Sequence, residues 1–340
     1  MNTNNGDPRS LRGIDTTPFA MMGLDAAATS SALVYLQSEL EKADRRVLEP
    51  LAAVTWPRDI FTDIGGGWMD YSSNFFADYG NSDTVTLGLT GTETTEISRV
   101  QVNINKEVYP LHNWQVVSDV KIIDLLKLKG AGRSLDDLYA KAVALKYNKT
   151  VDRIVYLGVP ATLATPGSTG LLNNILVTTA AAATGASGGT AWNTKTPQEI
   201  LTDINAAIIN TVTASGYDVS GMADTILIPW PNFNYLLQPV TLAGSVSILE
   251  YVKANNVAKA HGIELKIFPV GWASSAYAGS NIMVAYRNDK DRVRFDITVP
   301  VQRGVTVPSV THASYDTLWQ AQIGVVKALY PTSLYYTTGI

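Results

Sequence analysis

The chain has 340 residues, no cysteine and a formal net charge of −4; apolar types make up 46% of it and charged types only 16%. The missing thiols exclude disulfide staples, thiolate catalysis and cysteine-ligated zinc or iron–sulfur centres. An acidic balance, with an isoelectric point of about 5.4, argues against the basic face by which proteins grip nucleic acid tightly.

Length favours two domains. Charge well below the roughly one quarter usual for soluble domains points either to a large core or to a surface covered by partners, as in a subunit of an assembly. Residues 1–29, opening MNTNNGDPRSLRGID, lack the basic-then-apolar pattern of a signal peptide and read as an arm with little structure of its own. No run approaches about 20 uninterrupted apolar residues, so no membrane span is expected and the cytosol is the default compartment.

Leu33, Leu36, Leu40, Ala43 and Val47 recur at spacings of three and four, the mark of one helical face, and Pro50 closes the element. Two packings suit this helix, against its own core or against a neighbouring subunit. Gly65-Gly66-Gly67 precedes an aromatic stretch and reads as a flexible joint; no Lys-Ser/Thr follows it, so it is not a phosphate loop. From Asp83 the period becomes two: Val85, Leu87 and Leu89, then the tip TGTETTE, then Val100, Val102 and Ile104. The pattern predicts a β-hairpin over 83–104.

Residues 114–121 form a further strand candidate. Ser134 caps a predicted helix over 134–147, whose buried stripe is Leu135, Leu138, Tyr139, Ala142 and Leu145; Asp137 suits its start and Lys141, Lys146 and Lys149 its end. The small residues of 178–196 mark a domain boundary. Thr196, Pro197 and Glu199 then make a capping box with proline at the first helical position, ahead of Ile200, Leu201, Ile204, Ile208 and Val212. Strands at 226–228, 263–268 and 282–286, a helix over 247–260 capped by Ser247 and Glu250, and the alternation Val293, Phe295, Ile297, Val299 read as an α/β domain spanning 197–300. The aromatic remainder is expected to return to the first domain.

Apparent chemistry dissolves on inspection. Gly185-Ala186-Ser187-Gly188-Gly189 matches G-x-S-x-G but lacks the preceding buried strand and following helix of a nucleophile elbow. His112, His261 and His312 share no ligand spacing; His261 suits a helix end, and the other two read as loop residues. Asp136-Asp137 starts a helix, and Asp289 and Asp291 lie in a polar turn. Neither pair comes with an apolar pocket that would raise a carboxyl pKa.

Two stretches carry a family resemblance. Residues 150–177, TVDRIVYLGVPATLATPGSTGLLNNILV, follow a hairpin and a helix and end in Gly170-Leu171-Leu172-Asn173; residues 281–320 open NIMVAYRND and continue through a long strand to a proline-containing exit. The chain resembles the major capsid proteins of tailed phages, of α+β class with the HK97-like capsid fold that encapsulin shells share. The resemblance implies an N-terminal arm (1–50), an extended β-hairpin loop (80–112), a peripheral domain of spine helix plus β-sheet (51–79, 113–190 and 301–340) and an axial α/β domain (191–300).

It further implies pentamers and hexamers forming an icosahedral head that encloses phage dsDNA without sequence-specific binding. The virion is assembled in the host cytoplasm with portal and scaffold or decoration proteins as further partners. No catalysis, cofactor, metal or membrane is expected. Subunit contacts fall on Thr90, Glu93, Glu96 and Arg99 of the hairpin and on Leu36 and Leu40 of the arm helix. Some relatives cross-link neighbours through a hairpin lysine; the tip here has none, and Lys106 is the nearest, so non-covalent stabilisation is expected. An encapsulin nanocompartment, or an α/β enzyme or binding protein with a convergent polar pocket, remain the alternatives.

Overall fold

The apolar runs 225–228, 282–286 and 334–338 build the centre of the molecule. A computed structural model describes residues 54–81, 99–124, 135–163, 168–241, 246–274 and 279–340. The first half holds α1 (Trp56–Asp59), β1 (Phe61–Ile64), β2 (Tyr71–Asn81), β3 (Val100–Pro110), β4 (His112–Lys121), α2 (Leu135–Leu157) and β5 (Thr178–Ala181). The α/β region follows with α3 (Pro197–Ala214), β6 (Thr225–Ile228), α4 (Trp230–Leu236), α5 (Ile248–Asn255), α6 (Val257–Ala260), β7 (Lys266–Pro269) and β8 (Ile282–Tyr286). Last come β9 (Val293–Ile297), β10 (Val299–Ser309), β11 (Ser314–Ile323), β12 (Val326–Ala328) and β13 (Leu334–Thr338).

The central sheet runs β5-β13-β8-β6-β7, and every residue of β6 and β8 is buried. Strands covered on both faces read as unbroken apolar runs because neither side meets water. Their alternating side chains divide between two cores. Ile226, Ile228, Met283 and Ala285 pack with Ile200, Ile204 and Ile208 of α3 and Val252 of α5. Leu227, Ile282, Val284 and Tyr286 pack with Val151, Ile154 and Val155 of α2 and with Phe295 and Ile323. Both predicted capping boxes form: the Thr196 hydroxyl accepts from the Glu199 N–H and the Ser247 hydroxyl from the Glu250 N–H, with each glutamate reaching back to its cap.

Several expectations are corrected. Helix α2 runs to Leu157, ten residues past its expected end, because Val143, Tyr147, Val151, Ile154 and Val155 continue one buried face; Ala142 of the expected stripe is exposed. Segment 178–196 is no slack boundary: β5 pairs with β13, and Trp192 is fully buried. The expected helix over 247–260 breaks into α5 and α6 at Asn256, whose side chain accepts from the Lys259 N–H and so caps α6. The alternation from Val293 to Val299 leaves the α/β sheet: β9 lies between β1 and β12, and β10 pairs with β11. Strand β11 does return to the first part of the chain, against β4, but β13 enters the central sheet beside β8.

Candidate assembly surfaces

Strands β2 and β3 form an antiparallel two-stranded ribbon of 11 residues each, paired from Tyr71↔Pro110 to Asn81↔Val100. The second strand was legible, but its partner was not. Val102 and Ile104 pair with Tyr79 and Ala77, whereas the expected strand 83–89 and the hairpin tip lie outside the described residues. Directly paired residues share a face. One face therefore carries Tyr71, Phe75, Ala77 and Tyr79 beside Val100, Val102, Ile104 and Val108; the other carries Ser72 and Asn74 beside Gln101, Asn103, Asn105 and Glu107. The apolar face is bare: Phe75 is 69% exposed, Tyr79 74%, Val100 72% and Ile104 71%. Soluble monomers rarely leave a contiguous apolar patch of this extent; such patches mark interaction surfaces. A lone two-stranded ribbon is also marginal in water without a covering partner.

What holds the ribbon is a buried polar clamp at its root. Lys327 of β12 pairs with Asp296 of β9, both side chains being almost wholly buried. Its ammonium donates to Ser72 Oγ at 2.5 Å, and that hydroxyl donates to Asp296 Oδ2 at 2.8 Å. Arg294 donates to Asn74 Oδ1 at 2.6 Å. On the other side Gln322 donates to the Met69 carbonyl at 2.6 Å and accepts from the Met69 N–H at 3.0 Å. Burial, then the hydrogen bond donated to Glu107, pushes the Tyr109 phenol pKa up, so this group stays neutral beside the clamp.

A second construction fixes the end of α2. The last four carbonyls of a helix have no partner within it, and here the Gly158–Asn173 segment supplies all four. Gly158 N–H donates to Ile154, Leu171 N–H to Val155 and Leu172 N–H to Tyr156, at 2.7–3.0 Å. Asn173 Nδ2 donates to Leu157 O at 2.8 Å while its Oδ1 accepts from Gly170 N–H at 2.7 Å. Gly158 takes φ +75°, and a Cβ at Gly170 would lie 2.5 Å from the Tyr156 carbonyl. This close approach explains Gly158, Gly170 and the Leu-Leu-Asn of the 150–177 stretch.

Beneath it, α1 docks on α2 through buried carboxylates. Asp152 accepts from the Thr55 and Trp56 N–H groups at 2.9 and 3.1 Å and from Trp272 Nε1 at 2.6 Å. Asp59, fully buried, accepts from Arg58 and from the Tyr156 hydroxyl, and its carbonyl accepts from Tyr286. Burial first and the nearby Asp59 charge second drive both phenol pKa values upward. Each of these carboxylates is held by several donors from both helices and their surroundings, so the cluster is a joint.

Of the expected contact residues, Thr90, Glu93, Glu96, Leu36 and Leu40 lie outside the described residues; Arg99 is exposed just ahead of β3. His112 is not a loop residue: it opens β4, and burial lowers its pKa. His261 takes the C-cap position of α6, and His312 meets Ser309 Oγ at 3.3 Å in the β10–β11 turn. The Ser187 hydroxyl donates to the Thr194 carbonyl within a tight turn, without an elbow. Lys106 sits on the apolar ribbon face with its ammonium 5.8 Å from the Phe75 ring centre. Sequence reasoning missed the ribbon's first strand and both buried clusters. The alternation Tyr71, Phe75, Tyr79 and the lone lysine of IGVVKALY were the available signals.

A long capped helix lies beside an α/β body that carries a bare two-stranded ribbon, and solved structures share this architecture. The capsid of Myoviridae phage XM1 matches with a TM-score of 0.73 at 16% identity over 89% of this chain and 98% of that one. The capsid of a native GTA particle matches at 0.56 and 11% identity (88% and 94% covered), and Microbacterium phage Oxtober96 at 0.56 and 13% (88% and 94%). At these identities the likeness is one of fold. No curated protein matches the chain. The family described as "Major capsid protein" matches residues 88–340, about three quarters of the sequence, and the chain belongs to that family. It is a tailed-phage major capsid protein with the HK97-like α+β fold, a structural protein that self-assembles into the virion shell.

Proposed function

We propose that copies of this chain close into pentamers and hexamers that tile an icosahedral head around dsDNA, each laying its β2–β3 ribbon across a neighbour. Head-to-tail contacts of this kind generate rings when the rotation closes. The observation that carries the reading is the bare apolar face of Phe75, Tyr79, Val102 and Ile104 on a ribbon rooted in buried charge. Each such contact gains roughly 25 cal/mol per Å² of apolar surface covered, and multiplicity around the shell turns modest contacts into a stable container.

In this reading α2 is the spine of a peripheral domain, the region around 191–300 is axial, and the arm 1–50 with Leu36 and Leu40 adds contacts. Glu93, Glu96 and Arg99 set register more than strength, since exposed ion pairs contribute about 0–1 kcal/mol. Assembly takes place in the host cytoplasm with portal and scaffold or decoration proteins, and the subunit turns over no substrate. The acidic net charge of −4 suits a wall that holds DNA without adhering to it. Deleting residues 90–97 is expected to leave the subunit folded by circular dichroism and to cut particle yield in electron micrographs. Normal yields of closed particles from that deletion would refute the ribbon's role.

A further inference from the structure

The sheet β10-β11-β4 has two outer strands, and they are built differently. Strand β10 carries Pro300 and Pro308, and its pairing with β11 shifts twice, between Val299 and Gln302 and between Arg303 and Thr306. Prolines and bulges are devices that keep an edge from pairing with another chain. Strand β4 has neither. It pairs with β11 without a shift from Lys121↔Ser314 to His112↔Ile323, and it contains no proline. Its far side meets no other strand among the described residues. An edge of this length offers a row of backbone N–H and C=O groups to a further strand.

The side chains of β4 suit one partner in particular, a second β4. Asn113, Gln115, Val117, Asp119 and Lys121 alternate along one exposed face, while Trp114 and Ser118 are buried on the other. The side chains of Gln115, Asp119 and Lys121 make no hydrogen bond or ion pair among the described residues. A two-fold axis through Val117, normal to the sheet, sets an antiparallel copy with Val117 opposite itself, Asp119 opposite Gln115 and Lys121 opposite Asn113. No like charges then meet, the one apolar residue of the exposed row meets its equal, and Asp119 gains the Gln115 amide as a donor. Sliding the axis to Asp119 would instead set two carboxylates face to face. With the axis normal to the sheet, Trp114 and the Tyr147 ring of α2 that it packs on stay on the same side in both copies. We infer that two copies of this chain join edge to edge through β4, giving a continuous sheet β10-β11-β4-β4-β11-β10 across an isologous contact. The contact uses none of the ribbon's residues and goes beyond the ribbon reading.

The chain has no cysteine, so single replacements report the contact through disulfide formation. Opposed residues of an antiparallel pair have Cα atoms about 4.5–5.5 Å apart, within reach of a disulfide. Val117→Cys is therefore expected to give disulfide dimers when assembled particles are mildly oxidised and run on non-reducing gels. The two copies of Gln115→Cys would lie roughly 13 Å apart along the strands and should give at least about tenfold less dimer. Asp119→Cys alone should behave in the same way, and particles assembled from a mixture of the Gln115→Cys and Asp119→Cys chains should recover the dimer. All three positions are exposed, so the unfolding midpoint of the free subunit should stay unchanged. Absence of Val117→Cys dimers, equal yields from Gln115→Cys, or no gain on mixing overturns the assignment. Particles that assemble from Val117→Cys without cross-linking defeat this pairing and leave the ribbon reading standing.

Discussion

The central sheet and the β2–β3 ribbon are both β-structure made of Val, Ile, Tyr and Phe, yet they are covered in opposite ways. In β6 and β8 every side chain is buried by the same chain's helices; on the ribbon's apolar face the large side chains stand mostly in solvent. Folding has spent the first region's hydrophobicity, and the second region's is left for another molecule. Stability and assembly should accordingly respond to different substitutions.

The largest loss of subunit stability is expected at the clamp between the two regions. Lys327→Ala removes the close cation beside buried Asp296 and leaves it Arg294 at 3.9 Å, which should cost about 3 kcal/mol, read as a fall in the urea midpoint of unassembled subunits. An unchanged midpoint would mean that the pair is not buried in solution. Gly170→Ala drives a Cβ into the Tyr156 carbonyl and should cost about 1–3 kcal/mol through overpacking. Asn173→Ala orphans the Leu157 carbonyl and the Gly170 N–H, again for about 1–3 kcal/mol; hydrogen exchange at the end of α2 should rise with it.

Alkaline pH probes the covered region more gently. Burial pushes the Tyr147 phenol up to about 12, and Tyr156 and Tyr286 shift in the same direction. A proton held more tightly in the folded state gives stability that is complete below the unfolded pKa of about 10 and is lost as pH rises above it. The urea midpoint should therefore decline from about pH 10 upward, and less steeply in Tyr147→Phe. An identical slope in that variant would contradict the burial assigned to this ring. The smallest stability change belongs to the ribbon: Phe75→Ser with Ile104→Asn should move the subunit by no more than about 0.5 kcal/mol per site, as for exposed positions generally, while particle yield collapses.

The sequence was most legible where local chemistry dictates structure. The Thr196/Glu199 and Ser247/Glu250 boxes and the strand Ile282–Tyr286 declare themselves within a few residues. It was least legible where partners are remote. Lys327 finds Ser72 255 positions away, and Trp272 finds Asp152 120 away, so neither contact leaves a periodic trace. The ribbon's first strand was hidden differently: small Ser73 and Ala77 interrupt an aromatic alternation that sits directly after a glycine run. The phase of α2 was misjudged because its first half is weakly buried and only the apolar second half, Val151 to Val155, fixes which face turns inward.

Cryo-electron microscopy of particles formed by the purified protein addresses the central claim most directly. Closed shells are predicted in which the side chains of Phe75, Tyr79, Val102 and Ile104 are buried against an adjacent copy. Shells in which that ribbon face still meets solvent, or a subunit that never advances beyond a monomer, would contradict the account.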